Sequence, residues 1–192
     1  MKKALISALH WIYRKRQILI QTLVLISVVS YFIYALGYTT NWAGIVTETR
    51  GASFFRASQT ANHMMVDLGF FTIIVVLLNL AFGSIKRKKY YLSNFLLSII
   101  TVVLMIVKAV LTIYYNRVLH QMYAQLTEDE VPSYLYATHG AGAKSYAVFE
   151  QGTYLSYFIL VVAVLLLVFT IHKALAQKER KKLIKELLIN EH

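Results

Sequence analysis

The first side chain that could do chemistry is an ionisable one inside an apolar run. Lys108 carries the sole charge between Tyr90 and Asn116, with Arg117 next along the chain. In a helix rising about 1.5 Å per residue, it would lie roughly 13 Å below the level of Arg117. A lysine at that depth costs about 2.5–3.5 kcal/mol on insertion scales unless it snorkels or finds a partner. Its neighbours define a face: Asn94, Thr101, Lys108 and Tyr115 recur every seven residues, and Thr112 lies one turn after Lys108. Facing lipid, these polar groups would have no partners, so the stripe is expected to point into a helix bundle. Asn79, an amide near the middle of the preceding apolar run, needs a hydrogen-bond partner there too. Asp67 and Glu150 are the candidate charge partners for Lys108. A purely structural bridge, or snorkelling of the long lysine stem, would account for the same residue without a function.

Other constellations are weaker. His63, Met64, Met65, His120, Met122 and His139 are of types that bind copper or zinc, yet no pair has ligand spacing, and no metal or other cofactor is expected. Glu128, Asp129 and Glu130 are consecutive, so a helix cannot aim all three at one substrate. They suit a helix N-terminus or the nearby basic residues better. Gly140 to Ser145 reads GAGAKS, which lacks the spacing of a phosphate-binding loop and any preceding strand. Ser133 and Ser145 have no elbow or oxyanion motif around them. The sequence contains no cysteine, which excludes disulfides and thiol chemistry.

These residues must be held by membrane spans. Of 192 residues 58% are hydrophobic and 15% charged, with a single proline, a balance wrong for a soluble domain and right for a polytopic membrane protein. Four runs approach the length of about 20 residues that a span needs: residues 18–36, 68–83, 93–115 and 154–171. The second is short, so its helix should begin earlier, near Asn62 or His63. The expected fold is all-α, a single integral membrane domain over residues 1–192 built as a four-transmembrane-helix bundle. Small or weakly polar stripes mark the packing faces: Ser27, Ser30, Tyr34 and Gly37 in span one, Gly69, Thr72, Asn79 and Gly83 in span two. Span four carries Gly152, Ser156, Ala163 and Thr170.

The net charge of +11 would suggest nucleic acid in a soluble chain, but its distribution says otherwise. With four spans, Lys2, Lys3, Arg14 to Arg16, Lys86 to Lys89, Lys173, Lys178, Arg180 to Lys182 and Lys185 fall on one side. The opposite loops hold Arg50, Arg56, Arg117 and Lys144. The positive-inside rule puts both termini and the Lys86 to Lys89 turn in the cytoplasm. No nucleic-acid partner is expected, and anionic headgroups at the cytoplasmic face are the natural second use of the basic excess.

Outside the spans, Met1 to Arg16 reads as an amphipathic segment on the inner membrane surface, retained ahead of span one. The outer loops, residues 38–66 and 116–153, are too apolar for plain solvated connections and are expected to carry short amphipathic helices. Thr127 with Glu130 has capping-box spacing before one such helix, through Tyr136. In the cytoplasmic tail, residues 173–192, Leu183, Ile184, Leu187 and Leu188 form an apolar face that either lies on lipid or docks on a partner.

Functionally, the expectation is a non-catalytic accessory or scaffolding subunit of a larger membrane complex, or a homo-oligomer, in the plasma membrane of a bacterium. A small transporter or channel lined by Lys108, Asn79, Thr101 and Thr112 is the alternative. A membrane enzyme acting on lipid or envelope polymer at the outer surface is third, with Glu128, His120 or His139 as its groups.

Overall fold

Backbone polar groups inside a bilayer must be satisfied within the segment, so long apolar runs without a breaker fold as helices. The chain's one proline, Pro132, is outside the residues that the computed structural model describes, so none of the described helices contains this breaker. The structure describes residues 2–42, 52–84, 92–126 and 146–190, and side chains within 15–38, 53–82, 94–126, 146–179, 182–184 and at 186. The helices are α1 (Lys2–Trp42), α2 (Ala52–Ser84), α3 (Leu92–Ala124) and α4 (Ala147–Asn190). Each contains a stretch long and apolar enough to cross a membrane: Lys15–Tyr38, Ser53–Phe82, Asn94–Ala124 and Ala147–Ile184. The protein is a multi-pass, all-helical membrane bundle.

The helices form a closed ring in which α1 packs on α2, α2 on α3, α3 on α4 and α4 back on α1. The core runs down the centre, with Val24, Val28 and Tyr31 from α1, Met65 and Val76 from α2, Met105 and Ala109 from α3, and Ile159, Val162 and Ala163 from α4. The stripe expected for span four is buried throughout, at Gly152, Ser156, Ala163 and Thr170. Gly69 and Thr72 of α2 and Ser27 of α1 are also buried, whereas Gly37 is exposed and a side chain there would meet nothing. The outward faces carry Ile33, Phe70, Val103, Val161 and Val168, a surface suited to acyl chains.

The helices extend well past the expected spans. Residues 38–42 belong to α1 and residues 52–66 to α2, so the separate amphipathic helices expected in the first outer loop are instead continuations of the spans. The reason is packing: Phe54, Phe55, Ser58, Ala61 and Asn62 are buried in the bundle, a periodic face that makes continuation more favourable than a turn. At the other end, Lys2–Arg16 runs into span one without a break, and α4 runs unbroken to Asn190. A continuous helix cannot turn to lie flat on a surface, since long helices bend only gently without a proline or bulge. The expected elements within 127–145, with His139 and Glu128 to Glu130, and the Lys86 to Lys89 turn lie outside the described residues.

Candidate functional site: a buried lysine and the polar contacts around it

Lys108 is turned fully inward, 0% exposed, on the same buried face of α3 as Thr101, Thr112 and Asn116. Its Nζ lies 4.5 Å from the ring centroid of Tyr31, which reaches across the bundle from α1. Among the described residues no hydrogen-bond acceptor is within reach of that Nζ. A cation over a desolvated aromatic face gains about 2 kcal/mol, which offsets part of the cost of burying it. The ring is itself pinned, its hydroxyl sharing a 2.7 Å hydrogen bond with Thr112 Oγ1. Gly69 of α2 packs against the same region of α1: a Cβ there would be in ordinary contact with the Tyr31 ring at 3.5 Å and would press on Phe32 at 3.1 Å.

Neither expected charge partner reaches Lys108. Asp67 and Glu150 are both exposed, and Glu150 stands on the turn of α4 beside Phe149, whose carbonyl meets Asn116. Asn116 is eight residues beyond Lys108 along α3, which is roughly 12 Å along the axis. Glu150 therefore belongs to a different level of the bundle, and Asp67, two residues from Gly69, to an outward position on α2.

The remaining polar side chains divide into two kinds. Ser27, Thr72, Thr101, Ser156 and Thr170 bond to carbonyls of their own helix one turn back, which satisfies the hydroxyl but links nothing. Others link helices. Asn62 Nδ2 donates to the Ala35 carbonyl at 2.9 Å, joining α2 to α1. Asn79 Nδ2 donates to Ser98 Oγ at 3.4 Å, so the expected partner of that amide comes from α3. Lys173 Nζ donates to Gln17 Oε1 at 3.4 Å, joining α4 to α1.

A junction of three helices is not evident in the sequence. Tyr34 of α1 donates its hydroxyl proton to the Val148 carbonyl at 3.1 Å and accepts from Asn116 Nδ2 at 3.2 Å. Asn116 Nδ2 also donates to the Phe149 carbonyl at 3.3 Å, so α1, α3 and α4 meet at one point. Gly152 makes room for it, since a Cβ at that position would collide with the Tyr34 hydroxyl and the Asn116 amide. The visible signal was the glycine, already part of the span-four stripe. Tyr34 was likewise part of the span-one stripe, but Asn116 was concealed because it follows Tyr114 and Tyr115 and reads as the start of a loop. Beyond this junction an aromatic cluster closes the same end of the bundle. Tyr123 lies 5.5 Å from Phe54 and 5.7 Å from Phe149, and His120 lies 4.7 Å from Tyr146.

His120 is thus a stacking residue, while His63 is exposed and Met65 is core. Among the described residues no three His, Asp or Glu side chains gather as a metal site would need. Compared with known proteins, the chain matches no family model, no curated protein and no solved structure.

Proposed function

We propose that the protein is a non-catalytic scaffolding subunit of a membrane complex, a rigid four-helix module that presents the distal part of α4 to a partner. The observation that carries this is the run of α4 past the bundle to Asn190 with Leu183 59% and Ile184 52% exposed. Ile184 is 13 residues beyond Ile171, which places it about 20 Å further along the helix axis. From Ala147 to Ile184 the helix is about 57 Å long, well beyond the ~30 Å apolar core of a bilayer. An unbroken α4 therefore carries those side chains past the membrane, where a protein surface can cover them. The interior supports the same role, because its polar side chains tie α1 to α2, α3 and α4 and α2 to α3. Such ties make a stiff support. The distribution of lysine and arginine argues for a cytoplasmic location of α4's far end, in a bacterial plasma membrane.

The test is purification of the tagged chain in a mild detergent followed by native mass spectrometry. The expected result is a defined assembly, with another subunit or with further copies, that Leu183→Glu with Ile184→Glu dissociates while the bundle's thermal midpoint stays unchanged. A monodisperse single chain from both forms would overturn the proposal.

A transport role is the second reading, favoured by one observation, the Lys108 Nζ without an acceptor. An intramembrane cation left unpaired in one state is what a carrier would need in order to meet an anion in another. Anion flux into liposomes that Lys108→Met abolishes would establish it in place of the scaffold.

A further inference from the structure

A groove of about 490 Å³ opens between α3 and α4 at the end of the bundle that carries the aromatic cluster. That volume is in the range that holds a small organic ligand. Its walls are two helical faces: Ile113, Arg117 and His120 at four- and three-residue steps on α3, and Glu150, Tyr154 and Tyr157 at four- and three-residue steps on α4. Because the helices are antiparallel, the groove is graded along its length. His120 contacts Phe149 at the end by the helix termini, its open end, with Arg117 and Glu150 near it, while Ile113 and Tyr157 lie nearer the middle of the spans, the end that is deep with respect to the membrane. From Ile113 to His120 is roughly 10 Å of helix.

Two features specify the occupant. Arg117 and Glu150 line the same groove, both are exposed, and among the described residues neither makes an ion pair. A cation and an anion on opposite walls, unpaired with each other, match a ligand that bears both a phosphate and an amine. The second feature is the gradient itself, since the deep end turns toward the apolar surface where Tyr154 is 70% and Tyr157 53% exposed. Tyrosines of this kind mark the level of lipid headgroups, with the acyl region below them.

We propose that this groove is a specific site for a phospholipid with a zwitterionic, primary-amine headgroup of the phosphatidylethanolamine type. Arg117 receives the phosphate through charge-assisted hydrogen bonds, Glu150 accepts from the ammonium, and the acyl chain descends past Ile113 and Tyr157. His120, stacked on Tyr146, walls the open end. The site lies outside the region around Lys108 and does not depend on what α4 docks.

The test uses the full chain in maltoside micelles, with bound lipid counted by native mass spectrometry. Four probes separate the chemistry: phosphatidylethanolamine, phosphatidylglycerol, which lacks the amine, glycerophosphoethanolamine, which lacks the chains, and inorganic phosphate. The expected result is one phosphatidylethanolamine per chain, held more tightly than any other probe. Arg117→Gln should weaken both lipids about tenfold, and Glu150→Gln should weaken phosphatidylethanolamine alone to a similar extent. Both side chains are exposed, so the thermal midpoint of the lipid-free chain should not move in either variant. Equal binding of the two lipids by the native chain, or retention unchanged by Arg117→Gln, would overturn the proposal. Binding of glycerophosphoethanolamine or phosphate as tight as that of the lipid would overturn it too, in favour of a soluble ligand.

Discussion

Replacing the Lys108 ammonium by a thioether of similar length removes a group that has no acceptor and keeps the volume. Holding that ammonium inside the bundle with no acceptor costs more than the cation–π attraction to Tyr31 returns, which is about 2 kcal/mol. Lys108→Met is therefore expected to stabilise the bundle by about 1 kcal/mol and to raise its thermal midpoint by a few degrees in detergent. A fall of several degrees would mean that the amine has an acceptor the fold depends on. Tyr31→Phe keeps the ring over Lys108 but deletes the bond to Thr112, so it should cost about 0.6–2 kcal/mol, read in the same melt. Lys108, Thr101 and Thr112 were legible in the sequence because a seven-residue repeat of polar groups in an apolar run has one physical reading. Tyr31 was not, since a tyrosine in a span reads equally as interface anchor or core. The charge partners were misread for a similar reason, as sequence distance gives depth along a helix but not the face on which Asp67 or Glu150 stands.

The helix ends are set by packing that a hydropathy window does not see. Residues 52–67 hold Arg56, Gln59, Asn62 and His63 among the apolar ones, which lowers the mean hydropathy below that of a span. Yet Phe54, Phe55, Ser58, Ala61, Asn62 and Met65 recur at helical spacing and are buried, so the helix continues with them. The four spans themselves were plain, because a bilayer demands length and apolarity and little else. Gly69 and Gly152 were legible as contact points whereas Gly37 meets nothing, and among the described glycines Gly152 is the one where the approach is closest. Gly152→Ala places a methyl group where Tyr34 and Asn116 meet, so those side chains must leave their bonds to Val148 and Phe149. The expected loss is about 1–3 kcal/mol for overpacking, with a further contribution from polar groups left unpaired. Gly37→Ala is the matched control: it meets nothing, and removing a helical glycine should raise stability by up to about 1 kcal/mol. Thermal melts of the two variants side by side test the assignment, and equal midpoints would remove the Tyr34 junction as a determinant of the fold.

At the scale of the whole molecule, four antiparallel helices in a closed ring place the start of α1 and the far end of α4 at one end, together with the end of α2 and the start of α3. The bundle geometry is symmetric to inversion in the membrane, so only charge decides which end faces the cytoplasm. Arg14 to Arg16 of α1 and the cluster from Lys173 to Lys185 of α4 stand at the same end, and translocating them would oppose the membrane potential. That end is therefore expected to be cytoplasmic, with the Tyr34 junction and the α3–α4 groove at the outer headgroup level. The chain's lack of cysteine makes the measurement direct, since any thiol introduced is the sole one present. In intact cells, Thr138→Cys should react with a membrane-impermeant maleimide, whereas Ile85→Cys and His192→Cys should react only after the membrane is permeabilised. The reverse pattern would turn the molecule over, put the groove against the inner leaflet and direct the exposed leucine and isoleucine of α4 outward, where a cytoplasmic partner could not meet them.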